Sequence, residues 1–257
     1  MKIVNEILSV KNTRIKELKK LHKKKYREES HSYLIEGFHL IEEAVKNKQT
    51  LKQVYITQRG LQQWGSWIEE QQLANIFLVS DEVMNSLSDL PTPQGILAVV
   101  PITQLENVQL KGSWLLLDNV QDPGNVGTMI RTADAAGLTG IILGEGTADI
   151  YSTKVMRSMQ GSNFHLPILS MNLKEAVQLF KEQRIPVYGT ELNEFAVVYN
   201  KIEPQKDFAL IMGNEGQGVS KELLALADKN LYIPIKGQAE SLNVGIAAGI
   251  LMYHLTV

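Results

Sequence analysis

The sequence predicts an α/β protein built in two parts: a small α/β domain over residues 1–100, a linker over 101–112, and a larger domain over 113–257 whose sheet is mostly parallel with helices on both faces. Three observations lead there. Short apolar runs alternate with amphipathic helical stretches along nearly the whole chain, the pattern of strands covered on both faces by helices. The alternation lapses in the polar stretch 101–112, where a linker belongs. Three turns that follow apolar strands in the second part are rich in Gly, Asn, Ser and charged residues.

In the first part, strands are expected at 33–35, 54–57, 76–79 and 96–100, with helices at 38–45, 61–70 and 81–88. Ser80 is a helix-capping residue, and Asp81 and Glu82 suit the positive end of the helix dipole that follows it. In the second part a strand at 114–117 leads to a helix at 126–136, which Gly137 stops. A strand at 139–143 and a helix near 153–160 follow. Asn172, with Glu175 three residues on, reads as a capping box opening a helix at 173–183. Strands at 185–189 and 208–212, a helix at 220–227, a strand at 231–235 and a last helix at 244–255 complete the chain. Sheets of this kind bind ligands at the carboxyl ends of their strands.

With 257 residues, 44% of them hydrophobic and 21% charged, the chain can bury a substantial core. It has no cysteine, which excludes disulfides, thiolate metal sites and thiol nucleophiles. Met1-Lys2-Ile3-Val4-Asn5-Glu6 meets an acid before any long apolar run, and no stretch has eighteen uninterrupted apolar residues, so the expectation is a cytoplasmic protein without a membrane span. The net charge of −2 conceals an asymmetry. Residues 11–27 hold nine Lys or Arg against one acid, Glu17. Clustered cations on an otherwise acidic chain suit a polyanion, because phosphate neutralisation releases counterions. Lys19, Lys20, Lys23, Lys24, Lys25 and Arg27 are the candidate phosphate contacts. The alternative is a solvated helix face with Ile15, Leu18 and His22 turned inward.

The chemistry is expected in three loops. The first runs from Asp118 through Asn125 to Thr128 and enters a helix carrying Arg131 among uncharged neighbours. The second is Gly213-Asn214-Glu215-Gly216-Gln217-Gly218, where three glycines admit close backbone approach and Glu215 sets one charge. The third runs from Ile233-Pro234-Ile235 to Ser241-Leu242-Asn243-Val244, where Ser241 and Asn243 also read as ordinary caps. In the last helix Gly245, Ala248, Gly249 and Met252 form a small-residue stripe suited to close packing, in the core or across a dimer interface. Other chemistries fail: Gly144-Glu145-Gly146 has Asp149 in place of the third glycine of a dinucleotide fingerprint, and Walker, HExxH and GxSxG motifs are absent. The five histidines lack ligand spacing, so no metal is expected.

Asn125 with Arg131, the Gly213–Gly218 run and Ile233-Pro234 with Ser241-Leu242-Asn243-Val244 together resemble the three motifs of the SpoU (TrmH-like) branch of the SPOUT RNA methyltransferases. Leu34-Ile35-Glu36-Gly37 with His39-Leu40-Ile41-Glu42-Glu43-Ala44, and Thr92-Pro93-Gln94-Gly95, resemble the amino-terminal RNA-binding domain of many members, itself similar to small ribosomal proteins. The resemblance implies a deep trefoil knot in the carboxyl-terminal domain, a rare exception to unknotted folds. It implies S-adenosylmethionine held largely by backbone groups near Gly213, Asn214, Gly216, Gly218, Ile233, Ile235, Leu242 and Asn243. It also implies a homodimer and methyl transfer to a ribose 2′-hydroxyl of structured RNA, ribosomal RNA (23S) before tRNA. The implied catalytic group is Arg131, with Asn125, Glu215, Ser241 and Asn243 around it. A guanidinium stays protonated, so Arg131 is expected to act electrostatically and not as a base. Base methylation by a related SPOUT branch, and a non-catalytic RNA-binding or ribosome assembly role, are the competing readings.

Overall fold

A computed structural model of the chain describes residues 3–103 and 108–256. It divides into two compact units, Met1–Gln104 with Tyr151–Met156 and Leu105–Ile150 with Arg157–Val257. Part of the expected linker, residues 104–107, lies outside the described residues.

The first unit holds strands β1 (Ile3–Ile7), β2 (Ser32–Glu36), β3 (Gln53–Thr57), β4 (Ile76–Val79) and β5 (Ile96–Pro101) in the order β1-β4-β3-β5-β2. β1, β4 and β3 are parallel, and β5 runs antiparallel to both β3 and β2. Helices α1 (Thr13–Lys20), α2 (Lys24–Ser30), α3 (Phe38–Lys46), α4 (Gln58–Glu70) and α5 (Asp81–Leu87) accompany them. β1 escapes a periodicity search because it is an edge strand with Ile7 alone buried. The basic stretch forms two short helices, with Asn12 capping α1 through the Arg14 amide. Ile15, Leu18 and Leu21 bury against Tyr55, Phe77, Val83, Leu87 and Leu97. At about 1.5–3 kcal/mol for each fully buried aliphatic side chain, these contacts dock a segment that is otherwise rich in charge.

The second unit holds strands β6 (Ser113–Leu117), β7 (Gly140–Leu143), β8 (Ile168–Ser170), β9 (Val187–Thr190), β10 (Val197–Val198), β11 (Phe208–Met212) and β12 (Lys229–Tyr232) in the order β10-β12-β9-β11-β6-β7-β8. All six pairings are parallel, as predicted. Helices α6 (Pro123–Ala135), α7 (Thr153–Met159), α8 (Leu173–Glu182), α9 (Lys221–Leu226) and α10 (Val244–Leu255) complete it. Every residue of β6 and β11 is buried, so the two central strands read as unbroken apolar runs. β8 and β10, of three and two residues, are too short to show a period. β12 ends at Tyr232, three residues before the expected boundary, so Ile233-Pro234-Ile235 belongs to the following loop. Pro234 has no N–H with which to extend a ladder. Because the strands are parallel, the loops after β6, β7, β9, β11 and β12 share one edge of the sheet. Among the described residues no helix is long and apolar enough to cross a membrane.

Candidate active site

Two of the shared-edge loops are laced together by side chains. Asn214 organises its own turn: its Oδ1 accepts from the amides of Gly216 (3.0 Å) and Gln217 (3.1 Å), while Asn214 and Gly218 exchange backbone hydrogen bonds of 3.0 and 2.8 Å. Its Nδ2 donates across to the Asn119 carbonyl at 2.9 Å. Asp118 in turn accepts from the Ser220 amide at 2.7 Å, so a residue of the first loop caps the helix that follows the second. Gly213 is required by close approach, since a Cβ there would collide with the backbone of Gly218 and Val219. A side chain at Gly213 therefore breaks the turn itself before it obstructs any ligand. The space beside Gly218 and Gly237 is open, with no protein atom within 4 Å of a Cβ built there.

A second network joins all three loops that the sequence singles out. Glu215 accepts from the backbone amides of Gln121 (3.1 Å) and Asp122 (3.0 Å) and from Asn125 Nδ2 (3.1 Å). Asn125 Oδ1 accepts from Asn243 Nδ2 at 2.9 Å, and Asn243 Oδ1 caps α10 through the amides of Gly245 and Ile246. Burial alone raises the Glu215 pKa. The hydrogen bonds from Asn125, the Asp122 amide, its own amide and the Gln121 amide outweigh that effect and leave the pKa below its ordinary value. The carboxylate is thus an ionised acceptor with its capacity spent on holding loops.

Arg131 lies on α6, six residues beyond Asn125, and its side chain is exposed. Among the described residues it has no hydrogen bond and no ion pair, which leaves its guanidinium free for a ligand. Ser241 and Leu242 are exposed, Ile233 is half-buried and Ile235 is exposed, all on the loop after β12. Beside them in strand order is a loop the sequence reading passed over. Leu192 (77% exposed) and Phe195 (81% exposed) stand on the loop after β9, between the loops of β11 and β12. That loop is held in shape: the Glu191 amide donates to Leu231 O (3.1 Å) and the Phe195 amide to Asn193 Oδ1 (2.9 Å). The available signal was two large apolar residues among polar ones, directly after a strand.

The model of the SpoU rRNA Methylase family matches residues 113–253, which contain every one of these loops. The chain belongs to the SpoU rRNA methylase family. Residues 12–98 match the model of the MRM3-like substrate binding domain. The chain is 45% identical over 98% of its length to 23S rRNA (guanosine(2553)-2'-O)-methyltransferase RlmP of Bacillus subtilis, covering 99% of that protein. It resembles the AdoMet-bound rRNA methyltransferase of Sinorhizobium meliloti with a TM-score of 0.86 and 31% identity, over 97% of this chain and 96% of that one. Against AviRb of Streptomyces viridochromogenes in complex with AdoMet the TM-score is 0.85 and the identity 26%, over 95% of this chain and 97% of that one. This SpoU methylase is accordingly an S-adenosylmethionine-dependent RNA methyltransferase.

One feature of the SpoU methylase takes one of the two packings its sequence allowed, and another differs from what the sequence suggested. The small-residue stripe of α10 packs inside the chain: Gly245 lies against Thr128 and Gly249 against Thr132 of α6. Arg27, expected among the phosphate contacts, is 4% exposed and donates to the Leu21 carbonyl at 2.7 Å. Burial removes it from that set, because a guanidinium bound to a helix-end carbonyl is structural. Lys20 pairs with Glu17 at 2.8 Å, and Lys24 and Lys25 lie 3.8 Å from Glu28 and Glu29. Lys23, Lys24 and Lys25 are exposed, and Lys19 is half-buried. On α3, ligand atoms of His39, Glu42 and Glu43 gather within 4.8 Å, yet Lys46 pairs with both carboxylates at 3.1 Å.

Proposed function

We propose that this chain methylates the 2′-hydroxyl of a ribose in 23S rRNA. The observation that carries the chemistry is the Glu215–Asn125–Asn243 network, which ties three loops into one frame and leaves Arg131 unengaged on the adjoining helix. The RNA class rests on the relative named as a 23S rRNA 2'-O-methyltransferase, 45% identical over nearly the full length of both proteins. The donor set suits S-adenosylmethionine. Open space beside Gly218 and Gly237, and the exposed apolar side chains of Leu192, Ile235 and Leu242, fit a ligand with an aromatic ring and an extended polar tail. Gly213, Asn214, Gly216, Gly218, Ile233, Ile235, Leu242 and Asn243 would hold it, largely through backbone groups. When bound, it supplies a methyl group already made electrophilic by the sulfonium. The protein's part is to orient the 2′-oxygen and stabilise the charge that grows on it. Arg131 clamps the neighbouring phosphate and faces that charge. Asn125, Glu215 and Asn243 position the loops, and Ser241 contributes a hydroxyl at the loop's end.

Lys19, Lys20, Lys23, Lys24 and Lys25 grip RNA phosphates. The carboxyl-terminal chain is threaded as a trefoil knot, a reading supported by β12 pairing beyond β9 while α10 returns to pack on α6. The protein works as a homodimer: α10 is apolar on all faces, yet Ile246 (56%) and Tyr253 (59%) are exposed along it, a combination that calls for a partner surface. Its place is the cytoplasm, where bacterial ribosomal RNA resides. The test is methyl transfer from labelled S-adenosylmethionine to 23S rRNA and tRNA transcripts, followed by nucleoside analysis. The expected product is a 2′-O-methylribose in the ribosomal RNA. A methylated base, or transfer to tRNA alone, overturns the reading.

A further inference from the structure

The first unit contains a cavity of about 770 Å³ lined by α1, α2, the first residues of β2 and β3, and Val99 of β5. It lies in a different unit from the loops described above. Leu18, Leu21 and Val99, all buried, give it an apolar floor. Asn12 and Gln53 bring amide groups, and the half-buried Tyr26 brings an aromatic ring with Lys20 Nζ 5.6 Å from its centroid.

Its charges are unevenly matched. Glu17 is taken by Lys20 at 2.8 Å and Glu29 lies 3.8 Å from Lys25. Among the described residues, Arg14 and Lys52 have no carboxylate partner. Arg14 is held with its guanidinium carbon 4.4 Å over the Phe77 ring. Lys52 Nζ donates to the buried Ser32 hydroxyl at 2.7 Å. Two cations fixed by a ring and a hydroxyl, and not neutralised by acids, are prepared for an anion. An apolar floor, a ring and two amides in the same cavity add the features that receive a base. The volume falls in the usual range for ligand cavities, and proteins recognise single-stranded RNA by splaying out bases onto aromatic side chains and reading their edges.

We propose that this cavity binds one unstacked nucleotide of the RNA substrate, with its phosphate at Arg14 and Lys52 and its base at Tyr26, separate from the nucleotide that is methylated. The proposal rests on the reading of the chain as an RNA methyltransferase. It makes the first unit a reader of RNA structure as well as a cationic handle, because only an RNA with a nucleotide free to leave its stack fills the cavity.

The experiment uses the full chain. The amide NMR spectrum is followed while the four 5′-nucleoside monophosphates are added, and then while a 23S rRNA transcript is added as competitor. The expected result is localised shifts at Thr13, Tyr26, Ser32 and Gln53, and displacement of the mononucleotide by the transcript. Lys52→Gln, an exposed position, is expected to weaken both ligands about tenfold, the loss of one charge-assisted hydrogen bond, without changing S-adenosylmethionine affinity. Tyr26→Leu weakens them while keeping the apolar bulk. Absence of shifts in the wild type overturns the proposal and needs no variant. A mononucleotide that stays bound while the transcript binds marks a free-nucleotide site and overturns it too. Methyl transfer measured on the same samples separates the two levels: a wild type that transfers nothing to the transcript strikes the proposed function, whereas full transfer with Lys52→Gln and Tyr26→Leu strikes this inference alone.

Discussion

The two regions assigned to RNA chemistry are built on opposite plans. At the carboxyl edge of the parallel sheet, the key polar side chains are committed to another loop: Asp118 to Ser220, Asn214 to Asn119, Glu215 to residues 121, 122 and 125, Asn243 to Asn125. On α1 and α2, apart from the buried Arg27, the cations stand near solvent and pair only within their own helix, Lys20 with Glu17 at 2.8 Å and Lys24 and Lys25 with Glu28 and Glu29 at 3.8 Å. The difference suits the tasks proposed for them. A transfer in line with an oxygen depends on geometry to within fractions of an ångström, so the frame is cross-linked. Neutralising phosphates depends on charge and tolerates mobile side chains. Arg131, on the helix that leaves this frame, makes no hydrogen bond or ion pair among the described residues, and it is the residue whose loss should separate the two regions most sharply.

Arg131→Ala should reduce methyl transfer by about 10²–10³-fold, the usual effect of deleting one group that stabilises transition-state charge. S-adenosylmethionine affinity by calorimetry should be unchanged, because the side chain supports no loop. An active variant removes Arg131 from the chemical step. Asn125→Ala should have the next largest effect and a different signature. It strips a partner from both Glu215 and Asn243, and leaving such groups unsatisfied costs about 1–3 kcal/mol. Cofactor affinity, transfer rate and melting temperature should then fall together. A variant that loses rate alone would move Asn125 from the frame to the chemistry.

Phe195→Ser tests the loop after β9. If its ring covers a bound ligand, transfer or cofactor affinity should fall while the melting temperature stays level, since an exposed side chain contributes little to folding. Unchanged kinetics would leave Phe195 as surface.

Most of the fold was legible in the sequence because parallel strands covered on both faces must be apolar throughout; the runs at 114–117 and 208–212 show it. What escaped were edges. β1, β8 and β10 are short or half-solvated, and carry no period to read. The placement of the three motif loops was legible through their glycines, asparagines and strand contexts. The bonds between them were not, because Asn243 at the end of one loop reads as a simple cap, and only the three-dimensional sheet order brings it to Asn125, 118 residues away. Arg27 misled for the converse reason: charge patterning counts a cation without knowing that its helix turns the side chain toward the Leu21 carbonyl.

The contrast on the first unit is between the solvent-accessible lysines and that buried arginine. Replacing Lys19, Lys20, Lys23, Lys24 and Lys25 with Gln should weaken RNA binding at low salt and reduce the log–log salt slope by about one unit per lost phosphate contact, with little change in stability. Arg27→Gln should do the reverse, lowering the melting temperature while the slope stays put. Equal slopes for wild type and the five-lysine variant would take α1 and α2 out of RNA recognition.

The smallest effect expected is one of pH, and it bears on whether the cross-linked frame depends on a charge. The folded-state pKa of Glu215 lies below the ordinary 4.5, so the carboxylate binds its proton less readily in the frame than in the unfolded chain. Its contribution is therefore complete above the unfolded value and disappears only as pH falls through the lower folded value. From about pH 8 down to about pH 5, Glu215 should remain ionised and the S-adenosylmethionine affinity of the wild type should show no loss traceable to it. Glu215→Gln should bind more weakly than wild type by a constant factor across that window, since an amide can still accept from Asn125 and the loop amides but without charge assistance. Calorimetry of both proteins at several pH values is the measurement. A wild-type affinity that declines through the middle of the window, alongside a flat Glu215→Gln, would mean that the carboxylate titrates there. The frame would then be a switch and not a fixed support.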